Sequence, residues 1–249
     1  MAKRAVVSTA EATVPGAPAA KRRLAPEDRR RDILAKAIEY FAQVGFDGGT
    51  RELARHLGTT QPLLYRYFPT KEALIQEIYK AVFLDIWQPS WDALLSDTTR
   101  PLRDRLQQFY EEYMAAILTP QWIRIYFFAG LKGVTINVQY LAIVEERVLK
   151  RIIREFHREL GLAVPDEVAP EDLETAWTLQ GGIFYYGVRK YVYGSPMHTS
   201  AKTVISQSLD VFCAGYRAVL EQRAAGAPRT TAAETPVPPA KPTRRAAKV

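Results

Sequence analysis

Residues that carry covalent or metal chemistry are scarce in this chain. Its 249 residues include one cysteine, Cys213, and three histidines, His56, His157 and His198, far apart in sequence. A lone thiol excludes an internal disulfide framework and points to a reducing compartment. Set in the apolar string Val211, Phe212, Cys213, it reads as a packing residue rather than a sensor. The histidines have no metal-ligand spacing, and the patterns GxSxG, GxxxxGKS/T, GxGxxG and HExxH do not occur. Acidic pairs such as Glu111, Glu112 and Glu145, Glu146 are adjacent, so on a helix they point to different sides and make no catalytic pair. No catalytic residue, metal or cofactor is therefore expected. Long apolar runs are missing too. The longest uncharged stretch, Thr175 to Val188, is 14 residues, short of the roughly 20 that span a bilayer. Lys3 and Arg4 are followed by an Ala, Thr and Pro mixture without an apolar signal core. The expectation is a soluble, cytoplasmic protein with no membrane partner.

Glycine is modest at 14 residues, while 47% of the chain is hydrophobic and falls in long amphipathic windows, which favours helices over a sheet sandwich. The fold class expected is all-α. The net charge of +7 is carried at the two ends. Residues 1–25 hold five Lys/Arg against one acid and residues 223–249 hold six against one, leaving the stretch between them at a net of −2. Both end segments are rich in Ala, Pro and Thr and poor in large apolar residues, the composition of disordered tails. They are solvated chain or a source of salt-sensitive attraction to phosphates. Lys21, Arg22 and Arg23 stand where they would track a nucleic-acid backbone or minor groove.

The stretch from Thr50 to Leu74 carries the most information. Thr50 is placed to N-cap a short helix with Glu52 in its first turn and Leu53, Ala54 and Leu57 on one buried face. Gly58 follows as a left-handed C-cap, and Thr60 caps the next helix, so the turn is only Gly58, Thr59 and Thr60. Pro62 is tolerated in the first turn of that second helix, and Leu64 and Phe68, four apart, supply its core stripe. Its other face presents Gln61, Pro62, Leu63, Tyr65, Arg66 and Tyr67, a set that can hydrogen-bond base edges and phosphates. Thr70 then caps a helix beginning Lys71, Glu72. Ahead of this unit, Pro26, Glu27 and Asp28 open a helix to Val44 with Ile33, Leu34, Ala37, Ile38 and Phe41 on one stripe. Its Arg29, Arg30 and Arg31 read as a solvated face, one of them within reach of phosphate.

The spacing of Phe41, Gly45, Thr50, Ala54, Gly58, Leu64, Tyr65, Phe68, Lys71 and Leu74 strongly resembles the N-terminal domain of TetR-type (tetracycline-repressor-like, TetR/AcrR) bacterial transcription regulators. The resemblance covers about a fifth of the chain. It implies an N-terminal three-helix helix-turn-helix domain over residues 26–75 and a helical bundle for effector binding and dimerisation over residues 76–222. It also implies double-stranded DNA as a partner, in the form of a palindromic operator, and a nucleoid location. The contacts it implies are Thr50, Arg51, Thr60, Gln61, Pro62, Leu63, Tyr65, Arg66, Tyr67 and Lys71. Where the family often has Val-Ser-x-Gly-Thr-Leu-Tyr, this chain has Thr59 to Tyr65 with an apolar Leu63, so base preference does not transfer.

Beyond Lys71 the helix continues through Leu74, Ile75, Ile78, Tyr79, Val82 and Phe83 and stops before Pro89. Further helices are expected at about Pro101 to Leu118, Pro120 to Lys132, Asn137 to Leu160, Pro170 to Tyr193 and Thr199 to Arg223. The third of these alternates charge, and Glu146 with Lys150 and Arg151 with Glu155 read as exposed pairs. The last two helices are more apolar than one buried stripe requires. The resemblance assigns them to a homodimer interface, here Gly181, Tyr185, Val188, Ile205, Leu209, Phe212 and Tyr216, with Gly181 and Gly182 allowing close backbone approach. Trp122, Tyr126, Phe127, Phe128, Tyr140, Trp177, Phe184 and Tyr185 gather on segments that would surround the bundle centre. They are core or an effector pocket; the pocket set is Trp122, Tyr126, Phe127, Tyr140, Trp177, Gln180 and Phe184. Arg124, Lys132, Gln180 and His157 are its candidate polar anchors. The functions that follow are a dimeric repressor released by a small apolar or aromatic ligand, a DNA-associated architectural protein without effector, or an all-helical enzyme joined to a DNA-binding segment.

Overall fold

The computed structural model describes residues 25–133 and 136–226. The basic segments 1–24 and 227–249, with Lys21, Arg22 and Arg23, lie outside the described residues. Among those described there is no β-strand; the elements are helices α1 (Pro26–Val44), α2 (Thr50–His56), α3 (Gln61–Tyr67), α4 (Lys71–Tyr79), α5 (Pro89–Ser96), α6 (Leu102–Ile117), α7 (Pro120–Leu131), α8 (Ile136–Val144), α9 (Lys150–Glu159), α10 (Pro170–Tyr191) and α11 (Ala201–Ala224). The all-α expectation holds.

Two helices change pitch without stopping. A π-helical turn, Lys80–Leu84, extends α4, and a second, Glu145–Leu149, joins α8 to α9. Helix α5 was not expected. Pro89 reads as a terminator for the helix before it, yet it stands in the first turn of a new one, where its missing N–H costs nothing. Trp91 and Leu95, four apart, give α5 its buried stripe.

In α1, proline and two acids start the helix, and Ile33, Ala37, Tyr40 and Phe41 face inward over α2, α3 and α4. Arg30 leaves the solvated set: it pairs with Glu77 of α4 at 2.9 Å and lies 5.1 Å over the Phe68 ring, closing the α1–α4 seam. The bundle is built around α6. Leu106, Phe109, Tyr110, Tyr113, Met114 and Ile117 recur at helical spacing and are buried against α5, α9 and α11. Trp91 stands edge-on to Phe109 and Tyr113 with ring centroids 6.0 and 5.6 Å apart.

Among the described residues Asp172 is buried against Arg223 at 2.6 Å, and one ion pair is buried on both sides. Arg105 donates to Glu155 at 2.9 Å and to the carbonyls of Leu95 and Arg100 at 2.6 and 3.1 Å, and both side chains are almost fully buried. Glu155 is therefore not the exposed partner of Arg151, as its spacing suggested; Arg151 instead pairs with Asp92 at 3.2 Å. The i, i+4 rule predicts proximity along one helix and says nothing of a partner 50 residues away. Glu146 and Lys150 do pair, at 2.9 Å. Cys213 is half-buried, and burial pushes its thiol up to about 11, so it stays protonated and unreactive at neutral pH.

Candidate nucleic-acid interface and interior cavity

The α2–α3 corner is set by a Schellman closure. Gly58, at φ 59, donates to the Arg55 carbonyl at 3.1 Å, and Thr59 donates to Ala54 at 3.0 Å. The Thr60 hydroxyl then accepts from Leu63 N at 3.3 Å, and the Thr70 hydroxyl caps α4 at Ala73 N, 3.0 Å. Leu64 and Phe68 are buried as the spacing requires.

Thr50 departs from its expected role. Gly49 is the N-cap of α2 and Thr50 its first helical residue, so the hydroxyl is free of capping duty. It accepts instead from Gln61 Nε2 at 3.0 Å and from the Tyr65 hydroxyl at 3.2 Å. Thr50, Gln61 and Tyr65 thus form one connected polar group on the surface, with Arg51, Thr60, Pro62 and Arg66 exposed around it. Leu63 and Tyr67 are half-buried, and Tyr67 leans on the core. Lys71 is not the free cation its position suggested: it is partly buried, and its ammonium donates to the carbonyls of Phe46 at 2.6 Å and Gly48 at 3.0 Å. That ties α4 to the α1–α2 connection. The same connection needs a glycine at 48, because a Cβ there would overlap the Tyr40 hydroxyl.

Inside the bundle, six of the seven residues expected to form a pocket line one cavity of about 200 Å³: Trp122, Tyr126, Tyr140, Trp177, Gln180 and Phe184. Phe127 is outside it, edge-on to Tyr126 at 5.8 Å and 6.4 Å from Phe184. Burial raises the Tyr140 and Tyr126 hydroxyls above their usual pKa, so the walls are uncharged. Two wall atoms, Trp122 Nε1 and Gln180 Oε1, are buried without a hydrogen bond among the described residues. A buried donor and acceptor left open at one cavity are costly to keep and suit a bound group that engages both.

The other anchors lie elsewhere. Arg124 donates to the Ala42 and Gln43 carbonyls at the last turn of α1, Lys132 pairs with Asp47, and the His157 ring meets the Ala163 carbonyl at 2.7 Å. Arg124 had no sequence signal, since its partners are about 80 residues away. Its contact makes α7 a two-sided element: Trp122 and Tyr126 face the cavity, while Arg124, lying over the Phe128 ring, holds α1. Phe83, in the π turn that extends α4, stands edge-on to Trp122 at 5.0 Å and tilted against Tyr140 at 5.4 Å between ring centroids. Packed side chains thus connect the cavity wall to α1 and to the turn that extends α4.

The apolar surplus on α10 and α11 is resolved differently from expectation. Val188, Ile205, Leu209, Phe212 and Tyr216 are buried within the single chain, with α11 packed on α6 and α10, and Phe212 and Tyr216 edge-on to Phe156 of α9. Each helix turns one of its apolar stripes inward, and periodicity alone cannot choose between two. The outward face holds Tyr185, 51% exposed, Val211, 76% exposed, and the small residues Gly181, Gly182, Ala214, Gly215 and Ala218. Nothing stands within 4 Å of a Cβ placed on Gly181, Gly182 or Gly215.

Residues 33–78 match the family model described as bacterial regulatory proteins, tetR family. Over 78 residues the chain is 36% identical to the HTH-type transcriptional regulator RutR of Escherichia coli strain K12, covering 31% of this chain and 36% of that one. It therefore spans little more than a third of the length of the curated relatives it matches. Among solved structures, a TetR-like transcriptional regulator from Rhodococcus sp. RHA1 aligns with a TM-score of 0.59 at 17% identity, over 78% of this chain and 100% of that one. A tetR-family transcriptional regulator from Streptomyces coelicolor aligns with a TM-score of 0.55 at 15% identity, over 82% and 87%. At these identities the likeness is one of fold. No helix among the described residues is long and apolar enough to cross a membrane. Residues 33–78 thus carry the signature of a tetR-family N-terminal domain, and the all-helical fold around them is similar to that of TetR-like regulators.

Proposed function

We propose that the protein is a transcription regulator that binds a palindromic operator as a homodimer and is released from it when a small molecule fills the cavity between α7, α8 and α10. The observation that carries this reading is the surface of α3. Gln61 and Tyr65 are fixed by a shared bond to Thr50 while Arg51, Thr60, Pro62, Leu63, Arg66 and Tyr67 surround them. A helix end presented this way fits a major groove, with base edges read by a few ordered side chains. Residues 26–75 act as the reader and 76–222 as the responding bundle. Lys71 serves DNA binding by holding the connection before α2. The reader has eight Lys/Arg against seven acids between Pro26 and Ile75, so position rather than bulk charge governs its affinity.

One reader covers a few base pairs, and useful specificity needs two copies on a two-fold axis, at half-sites about 34 Å or a small multiple apart. The outward face of α10 and α11, apolar and lined with small residues, suits that pairing. Ligand binding would press on α7 and on the π turn after α4, changing the separation of the two readers by the ligand's preference for one state over the other. The test is selection of bound genomic fragments followed by titration against the selected palindrome and random duplex at moderate salt. A preference of about a thousandfold or more is expected. Equal affinity for all duplexes would instead mean an architectural DNA-binding protein.

A further inference from the structure

The cavity described above does not stand alone. A second one, about 250 Å³, is lined by Phe83, Trp87, Tyr113, Tyr140, Val144 and Arg147 among others, and shares Tyr140 and Val144 with the first. Arg147 in turn also lines a third, a surface cleft of about 580 Å³ that holds Arg151, Arg154 and Arg158. Tyr140, Val144, Arg147 and Arg151 thus follow one stripe of the α8–α9 helix from a greasy interior to a cationic mouth. Eleven residues of helix rise about 16 Å.

The mouth is positive in balance. Its four arginines face Asp92, Glu146 and Glu155, but Glu146 is held by Lys150 at 2.9 Å, and Glu155 is shared with the buried Arg105. Asp92 is left between Arg147 and Arg151, at 3.9 and 3.2 Å. Arg147 also lies 5.1 Å over the Trp87 ring, at the join between the cationic and the aromatic compartments. Both π turns border the middle compartment, Phe83 and Leu84 from one and Arg147 from the other. Such turns cost helix regularity and recur where a helix is shaped for a site.

We infer that the effector is an elongated amphiphile, an alkyl or acyl chain with an anionic carboxylate or phosphate end, whose head sits on Arg147 and Arg151 and whose chain runs past Trp87 and Tyr140 to Trp122. This rests on the effector reading above and narrows it, replacing a compact aromatic ligand with a long one. A guanidinium pair receives a carboxylate or phosphate by paired N–H donors, and the interior takes the chain because its walls are aromatic and aliphatic. Trp122 Nε1 and Gln180 Oε1, at the inner end, favour a chain that ends in a hydroxyl.

The test uses the full-length protein and its tryptophan fluorescence, since Trp87 and Trp122 line two of the three compartments. Dodecanoate, 1-dodecanol, inorganic phosphate and the neutral aromatic naphthalene are titrated below any micelle threshold. Dodecanoate is expected to bind at least tenfold more tightly than dodecanol, and more tightly than shorter carboxylates; inorganic phosphate alone should leave the signal unchanged. Arg147→Gln with Arg151→Gln should remove the preference for dodecanoate over dodecanol while naphthalene binding is retained, which also reports that the cavity is still folded. Equal binding of acid and alcohol by the unaltered protein overturns the inference without any variant, as does phosphate binding as tightly as dodecanoate. Naphthalene binding alone would overturn this inference and leave the effector reading standing, and binding of no apolar probe would overturn both.

Discussion

The α3 surface and the interior cavity treat their polar groups in opposite ways. At the surface, Thr50, Gln61 and Tyr65 are bonded to one another although water stands ready to satisfy them. In the cavity, Trp122 Nε1 and Gln180 Oε1 are shut away from water and have no hydrogen bond among the described residues. The first arrangement fixes side chains in advance for a partner that arrives from solvent, and lowers the ordering cost of meeting it. The second leaves a cost that a ligand bonded to both atoms would relieve. On the proposed reading the α3 surface is preorganised for DNA and the cavity is poised for a ligand, and the elements between them, α7 and the extended α4, touch both.

The sharpest way to break that contrast is to unbalance the bundle. Glu155→Ala leaves Arg105 buried without its carboxylate and should cost about 3–5 kcal/mol in urea unfolding, whereas a joint exchange of Arg105 and Glu155 for apolar residues should recover most of it. The alkaline limb comes next. Burial raises the hydroxyl pKa of Tyr110, Tyr113 and Tyr140 above 10.0, so the unfolded chain loses those protons first. Stability should be complete below about pH 10 and fall as pH rises beyond it, by about 1.4 kcal/mol per buried tyrosine per pH unit, followed as Tm. Loss of stability on the acid side alone would contradict this assignment.

Two changes in the reader separate contact from support. Tyr65→Ala should weaken operator binding about tenfold or more and leave Tm unchanged, because the side chain is exposed. Lys71→Met, which frees the Phe46 and Gly48 carbonyls, should weaken binding and also lower Tm by about 2–4 °C. If the two variants behave alike, Lys71 has no positioning role. The smallest effect sharpens the comparison most: Gln180→Leu removes an unpaired buried oxygen and should stabilise the unliganded protein by about 1 kcal/mol while lowering ligand affinity. A destabilised variant would mean that Gln180 is already satisfied.

The helix-turn-helix was legible in the chain because its rules are local. Gly58, Thr60, Thr70, Leu64 and Phe68 do what their spacing says, since caps, left-handed turns and i, i+4 stripes involve neighbours in sequence. Thr50 was misread as a cap because a β-region residue before it, Gly49, is as good a start, and the hydroxyl found partners 11 and 15 residues on. Pro89 was misread because a proline that ends one helix also opens another. Six of the seven aromatic and polar residues expected around the bundle centre line one cavity and Phe127 lies outside it, since aromatic residues on adjacent helices have few places to go but a centre.

By itself, then, the sequence determined the helices, the helix-turn-helix corner with its outward α3 face, the all-α class and the absence of catalytic motifs, because each follows from periodicity, capping or residue type. Tertiary structure alone decided which stripe of α10 and α11 is core, placing Val188, Ile205, Leu209, Phe212 and Tyr216 inside the chain and Tyr185, Val211 and Gly215 outside. It also decided that Arg124 grips α1, that Glu155 goes to Arg105, and that the arginines after Glu146 gather on one surface cleft that shares Arg147 with an aromatic cavity. The physical reason is the same in each case: burial and ion pairing are settled by groups far apart in sequence, and helical spacing fixes only which residues share a face.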